Sequence, residues 1–128
     1  MNIQEIIHYW VRSSREDLKT AESLFRLKRY PHCLFLCHLF VEKIIKASAA
    51  KATKQPAPYG HKLSKLAKLT AIDFSNQQLD ILDELTAFNI EARYDDYKFQ
   101  FYKKATKKYT QDYLKKAKVI YLWLKKKV

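Results

Sequence analysis

Glycine occurs once in the 128 residues, at Gly60, and proline only at Pro31, Pro56 and Pro58. A fold of many short strands needs frequent tight turns, so this poverty of turn-formers points to long helices with few connections. A single glycine also excludes a P-loop, a dinucleotide-binding glycine pattern and a glycine-flanked serine nucleophile. No apolar run reaches the roughly eighteen residues of a membrane span, and Gln4, Glu5 and His8 stand where a signal peptide would be basic and then apolar. A cytoplasmic location without membrane association is expected.

Cysteine is scarce too. Cys33 and Cys37 fall one helical turn apart, about 6 Å between Cα atoms with diverging side chains, so free thiols are expected. Together with the adjacent His38 they do not match a tetrahedral zinc site, and no second ligand group follows. Neither metal nor cofactor is expected, and no catalytic residue is assigned.

What the chain has in excess is positive charge: 25 lysines and arginines against 13 acids, a net +12, which attracts polyanions. The charge is segregated. From Lys98 to Val128 there are eleven lysines and one acid, Asp112, and Lys43 to Lys68 holds seven lysines and no acid. Between Ser75 and Asp96 the sign reverses, with six acids against Arg93.

The apolar pattern is helical throughout. Ile3, Ile6, Ile7, Trp10, Val11, Ser14, Leu18, Ala21, Leu24 and Phe25 recur at three- and four-residue spacing and define a first helix. A turn near Arg29 and Tyr30 leads to Pro31, suited to the opening turn of a second helix. From Cys33 to Val41 only His38 is polar, so the second helix should be central and buried on nearly all sides until about Lys51. Gln55 to Gly60 reads as the main loop. His61 to Leu69 predicts a short basic helix, Ser75 the cap of a fourth, and Thr106 or earlier the start of the last, whose stripe is Tyr109, Tyr113, Ala117, Ile120, Tyr121 and Leu124. Residues 89–101 are ambiguous. The expectation is one all-α domain over residues 1–128: an up-and-down bundle of four main helices plus a short extra helix.

Four polar features stand out against this pattern. His38, Glu42 and Lys46, at i, i+4 and i+8, share one face of the apolar second helix, either as an intrahelical pair with a core histidine or as the border of a polar pocket. Arg93 beside Tyr94, followed by Asp95 and Asp96, either clamps a phosphate or pairs with Glu42 or Glu91. His61 opens the third helix, as a solvated cap or as a working imidazole. Tyr97, Phe99, Phe101 and Tyr102, among Lys98, Lys103 and Lys104, are the aromatics placed to stack on bases.

Taken in order, Asp17-Leu18-Lys19-Thr20-Ala21-Glu22-Ser23-Leu24, Arg29-Tyr30-Pro31-His32-Cys33, Glu42-Lys43-Ile44-Ile45-Lys46-Ala47, His61-Lys62-Leu63 and Ala92-Arg93-Tyr94-Asp95, with Trp123 in the final helix, resemble the HEPN domain (higher eukaryotes and prokaryotes nucleotide-binding) over essentially the whole chain. The resemblance implies a homodimer that binds nucleotide or RNA and is encoded beside a minimal nucleotidyltransferase in a toxin-antitoxin-like pair. Glu42, Lys43, Lys46, His61, Arg93 and Tyr94 are the candidate nucleotide- and phosphate-binding residues. Many members of the wider superfamily are metal-independent ribonucleases with an arginine four to six residues before a histidine. Here no histidine follows His61, so Arg93 lacks that partner. The alternatives are a ribonuclease toxin in which His61 or His38 substitutes for the missing histidine, and a non-catalytic helical adaptor.

Overall fold

The computed structural model describes residues 1–95 and 98–128. Among these there is no strand. Six helices follow in order: α1 (Ile3–Arg26), α2 (Tyr30–Thr53), α3 (Leu63–Ala67), α4 (Asn76–Glu91), α5 (Gln100–Lys104) and α6 (Lys107–Lys125), with a 3₁₀ turn at Lys68–Thr70 after α3. The four long ones form an all-α, up-and-down bundle. No helix among the described residues is long and apolar enough to cross a membrane.

Local chemistry sets most boundaries. Asn2 caps α1 by accepting the Glu5 amide, and Lys28, at φ 61°, turns the chain in the left-handed region before Pro31 opens α2. Ser75 and Gln78 form a reciprocal capping box at the start of α4, and the Thr106 side chain accepts from the Tyr109 amide at the start of α6.

Two boundaries differ from the sequence pattern. The third helix begins at Leu63 rather than His61, because Lys62 is extended and the His61 carbonyl is taken by the His38 imidazole. It ends at Ala67 and tightens into the 3₁₀ turn, which Ala71 closes at φ 60°. In the ambiguous stretch α4 runs on to Glu91, and Asp95 then caps a second short helix, its carboxylate oxygens accepting from the amides of Phe101 (3.1 Å) and Tyr102 (3.2 Å). The bundle thus has two short extra helices instead of one.

Helix α2 is the axle. It touches every other helix, and Cys33, Leu34, Cys37, Phe40, Val41, Ile44 and Ile45 are fully buried along it. Phe40 meets Tyr121 of α6 edge to face at 5.7 Å, while Phe88 of α4 gathers Phe101, Tyr109 and Tyr113 around it. Such pairs contribute about 0.5–1.5 kcal/mol each beyond area burial. Both cysteines are free and buried, and burial, reinforced by its contact with Cys33, pushes the Cys37 thiol well above its ordinary pKa.

Candidate functional site

One stripe of α2 carries polar groups into this apolar interior. Phe35, His38, Glu42 and Lys46 are spaced three, four and four residues apart, so they lie along a single face. His38 is 0% exposed, and the side chains of Glu42 and Lys46 are 5% and 8% exposed. Polar groups this deep must find their hydrogen-bond partners within the protein.

They find them on each other and on the loop. His38 Nε2 donates to the His61 carbonyl oxygen at 3.1 Å, which fastens the end of the loop to α2. His61 in return donates from Nδ1 to Glu42 Oε1 at 2.8 Å, and the same oxygen lies 3.3 Å from His38 Nε2. The second carboxylate oxygen accepts from Lys46 Nζ at 3.1 Å, and that ammonium sits 5.1 Å from the centre of the Trp10 ring of α1. Burial holds the His38 pKa below its ordinary value, against the His61 carbonyl and the Glu42 charge, which raise it, and with the help of His61 and Arg93, which lower it. Burial thus favours the neutral ring. With Nε2 as donor, its buried Nδ1 has no hydrogen-bond partner among the described residues.

His61 differs from the other members in that its side chain is 55% exposed. A carboxylate holding Nδ1–H fixes the tautomer and leaves Nε2 as the unprotonated nitrogen, the arrangement in which an imidazole takes up a proton and, once it has, donates to an anion.

Arg93 stands at the other end of the stripe. Its guanidinium lies 6.0 Å from the Phe35 ring and 5.3 Å from the Tyr94 ring, and Nε donates to the Asn89 carbonyl at 3.0 Å. Among the described residues it makes no ion pair. Of the partners weighed from sequence, Glu42 is occupied by His61 and Lys46, and Glu91 by Lys104 at 3.8 Å. Arg93 and Tyr94 are exposed.

The structure separates some residues that the sequence placed in one cleft. Lys43 follows Glu42 by one position and so points about 100° round the helix. There it pairs with Asp17 (2.6 Å) and bonds Ser13 (2.8 Å) of α1, away from the polar stripe. Lys46 lies eleven residues beyond Phe35, about 16 Å along the helix axis, so it does not meet Arg93. What gathers at the loop is His38, Glu42, Lys46 and His61, with Arg93 at the rim. Phe35, Trp10 and the Asn89 carbonyl, which position the two cations, had no polar signature in the sequence. Of the aromatics weighed for stacking, Phe99 and Tyr102 are exposed and Phe101 is buried. Tyr97, like Asp96, lies outside the described residues.

Comparison with known proteins agrees with this architecture. The chain superimposes on the crystal structure of TT1696 from Thermus thermophilus with a TM-score of 0.82 at 16% identity, covering 100% of both chains. The structure of ST0689, described as an archaeal HEPN homologue, gives 0.75 at 20% identity over 94% of this chain and 96% of that one. At such identities the likeness is one of fold. No curated protein matches the sequence. The family model described as the HEPN domain matches residues 7–128, and the chain belongs to the HEPN domain family.

Proposed function

We propose that this protein binds nucleotides or RNA by their phosphates at the rim between the loop and the end of α4. The observation that carries this reading is the pair His61 and Arg93. Each is tied to the protein through one nitrogen, His61 by Glu42 and Arg93 by the Asn89 carbonyl, and each is exposed with further nitrogens to offer. Groups held in place in this way lose little freedom on meeting an anion, Arg93 donating directly and His61 once its Nε2 carries a proton. Tyr94, 69% exposed beside Arg93, supplies a face for a base, and Phe99 and Tyr102 extend the aromatic surface. Glu42 and Lys46 work from the interior, fixing His61 rather than touching the ligand. The lysines of α5 and α6 add a polyanion-attracting field, which favours RNA over a lone nucleotide.

In the cell this binding protein acts as a homodimer beside a minimal nucleotidyltransferase, a reading that membership of the family supports. Titration of ATP, AMP and a short RNA at low salt, followed by Trp10 and Trp123 fluorescence, tests the binding. Arg93→Ala should weaken it about 10- to 100-fold, the worth of a charged hydrogen-bond donor. Silence of all three ligands at low salt would reject the reading.

The Glu42-held imidazole favours one second reading, a metal-independent ribonuclease in which His61 exchanges the proton and Arg93 stabilises the charge on phosphorus. RNA cleavage that persists in chelator and disappears in His61→Ala would support it, and intact RNA after prolonged incubation would dismiss it.

A further inference from the structure

Three donor atoms converge where the loop meets α2: His38 Nε2, one Glu42 oxygen and His61 Nδ1, all within 4.8 Å of one another. We propose that these three side chains form a binding site for a borderline divalent cation of the zinc class, which clasps the loop to the central helix. The proposal stands apart from nucleotide binding, since it uses the inward-facing atoms of His61 and the phosphate reading uses the outward ones.

The spacing lies within small side-chain shifts of a coordination sphere. Bonds of about 2.0–2.1 Å at tetrahedral angles hold donor atoms about 3.4 Å apart. Glu42 Oε1 lies 3.3 Å from His38 Nε2 and 2.8 Å from His61 Nδ1, so small side-chain shifts bring all three onto one ion. The His61 carbonyl oxygen, 3.1 Å from His38 Nε2, is a ready fourth donor. Two imidazoles with one carboxylate select zinc, cobalt, nickel or copper over magnesium or calcium, which prefer all-oxygen sites.

The surroundings match as well. His38 Nδ1 is buried and holds no hydrogen-bond partner among the described residues, so the ring proton can move there and leave the Nε2 lone pair for the ion. Lys46 holds the far carboxylate oxygen and aims the other at the histidines, as outer-shell partners of metal ligands do. Its charge also opposes the cation, so affinity should be moderate. The half-exposed His61 gives the ion its path from solvent. On binding, Nδ1 of His61 and Nε2 of His38 exchange hydrogen bonds for bonds to the metal, and each ring keeps its single proton on the other nitrogen, Nε2 of His61 and Nδ1 of His38.

The sequence places His38 and Glu42 on one face of α2 but gives no sign that His61 joins them. The ligands come from two elements, with His61 separated from Glu42 by nineteen positions and by the loop.

The test uses the full chain. Cobalt(II) is titrated in the absence of nucleotide, followed by its visible d–d bands, and then displaced with zinc. The expected result is one equivalent of tetrahedral-type absorption, competed by zinc, without a thiolate charge-transfer band. His61→Ala should lower affinity at least 10- to 100-fold, as much as loss of even an outer-shell partner does. A His8→Ala, His32→Ala variant, removing the two histidines exposed elsewhere, should bind as the parent does. Absence of bands, bands unchanged in His61→Ala, or a thiolate band assigning the ion to Cys33 and Cys37 would each overturn the proposal. Should His61→Ala fail to fold, imidazole resonances of the parent protein decide: zinc must shift those of His38 and His61 and leave His8 and His32 in place.

Discussion

The buried ion pair between Glu42 and Lys46 makes a prediction in which a double substitution is milder than one of its components. Both side chains are less than a tenth exposed, and among the described residues the Lys46 ammonium meets the carboxylate and the Trp10 ring. Glu42→Leu strands the ammonium in the interior, which costs about 3–5 kcal/mol when a buried pair loses one member. It also frees His61. Lys46→Met leaves Glu42 with the His61 N–H at 2.8 Å and should cost less, about 1.5–3 kcal/mol, the worth of a charged hydrogen bond. In the Glu42→Leu, Lys46→Met double variant no charge is left behind, and apolar replacement of a whole buried pair is often neutral or stabilising. What remains is the loss of the His61 clamp, about 1–3 kcal/mol. The double variant should therefore recover about 2 kcal/mol or more relative to Glu42→Leu alone, a coupling readable from urea unfolding monitored by far-ultraviolet circular dichroism. If the double variant is as unstable as Glu42→Leu, or less stable, desolvation of Lys46 is not what the carboxylate offsets, and the account of this stripe is wrong.

Other consequences are simpler to state. Ser75→Ala removes one half of the capping box on α4 and should cost about 1 kcal/mol in denaturant unfolding. Lys54, at φ 60° and ψ 23°, ends α2 in the left-handed region with its amide on the Ala50 carbonyl, so Lys54→Gly should stabilise the protein by roughly 1 kcal/mol, and destabilisation would contradict the assigned conformation. The phenol of Tyr113 is partly buried and donates to the Glu84 carboxylate; desolvation first, then that bond and its charge, raise its pKa. One tyrosine should accordingly resist ionisation in an alkaline spectrophotometric titration, and Glu84→Gln should bring it back toward the ordinary range. RNA affinity should fall steeply with salt, and replacing the exposed Lys103 and Lys107 with alanine should flatten the dependence while Lys43→Ala, already paired with Asp17, should change it little.

Much of the bundle is legible in local chemistry. The unbroken apolar run from Cys33 to Val41, Pro31 behind a turn, and Ser75 and Thr106 before apolar stripes each act within one or two turns, so the sequence alone reveals them. Residues 89–101 were illegible because the short helix there depends on Asp95 reaching six positions forward to the Phe101 amide. The candidate site divides the same way. The i, i+4, i+8 register of His38, Glu42 and Lys46 is a property of one helix and is plain in the sequence. That His61 closes on Glu42 while Lys43 turns to Asp17 is decided by how the loop and α1 pack on α2, which no spacing within α2 encodes.

The position of α2 as the axle bears on how this chain can be divided. The loop at residues 54–60 is exposed, with Tyr59 and Gly60 at its tip, and is the natural place for a nick or for new termini. Yet a fragment ending there would consist of an α1–α2 hairpin whose inner helix is bare wherever α4 and α6 belong, and the remainder would have no centre to pack on. Neither piece should fold alone, and the two should reassemble only together, which makes the protein a natural split reporter: a nicked chain that keeps its structure as a complex and loses it when the halves are parted.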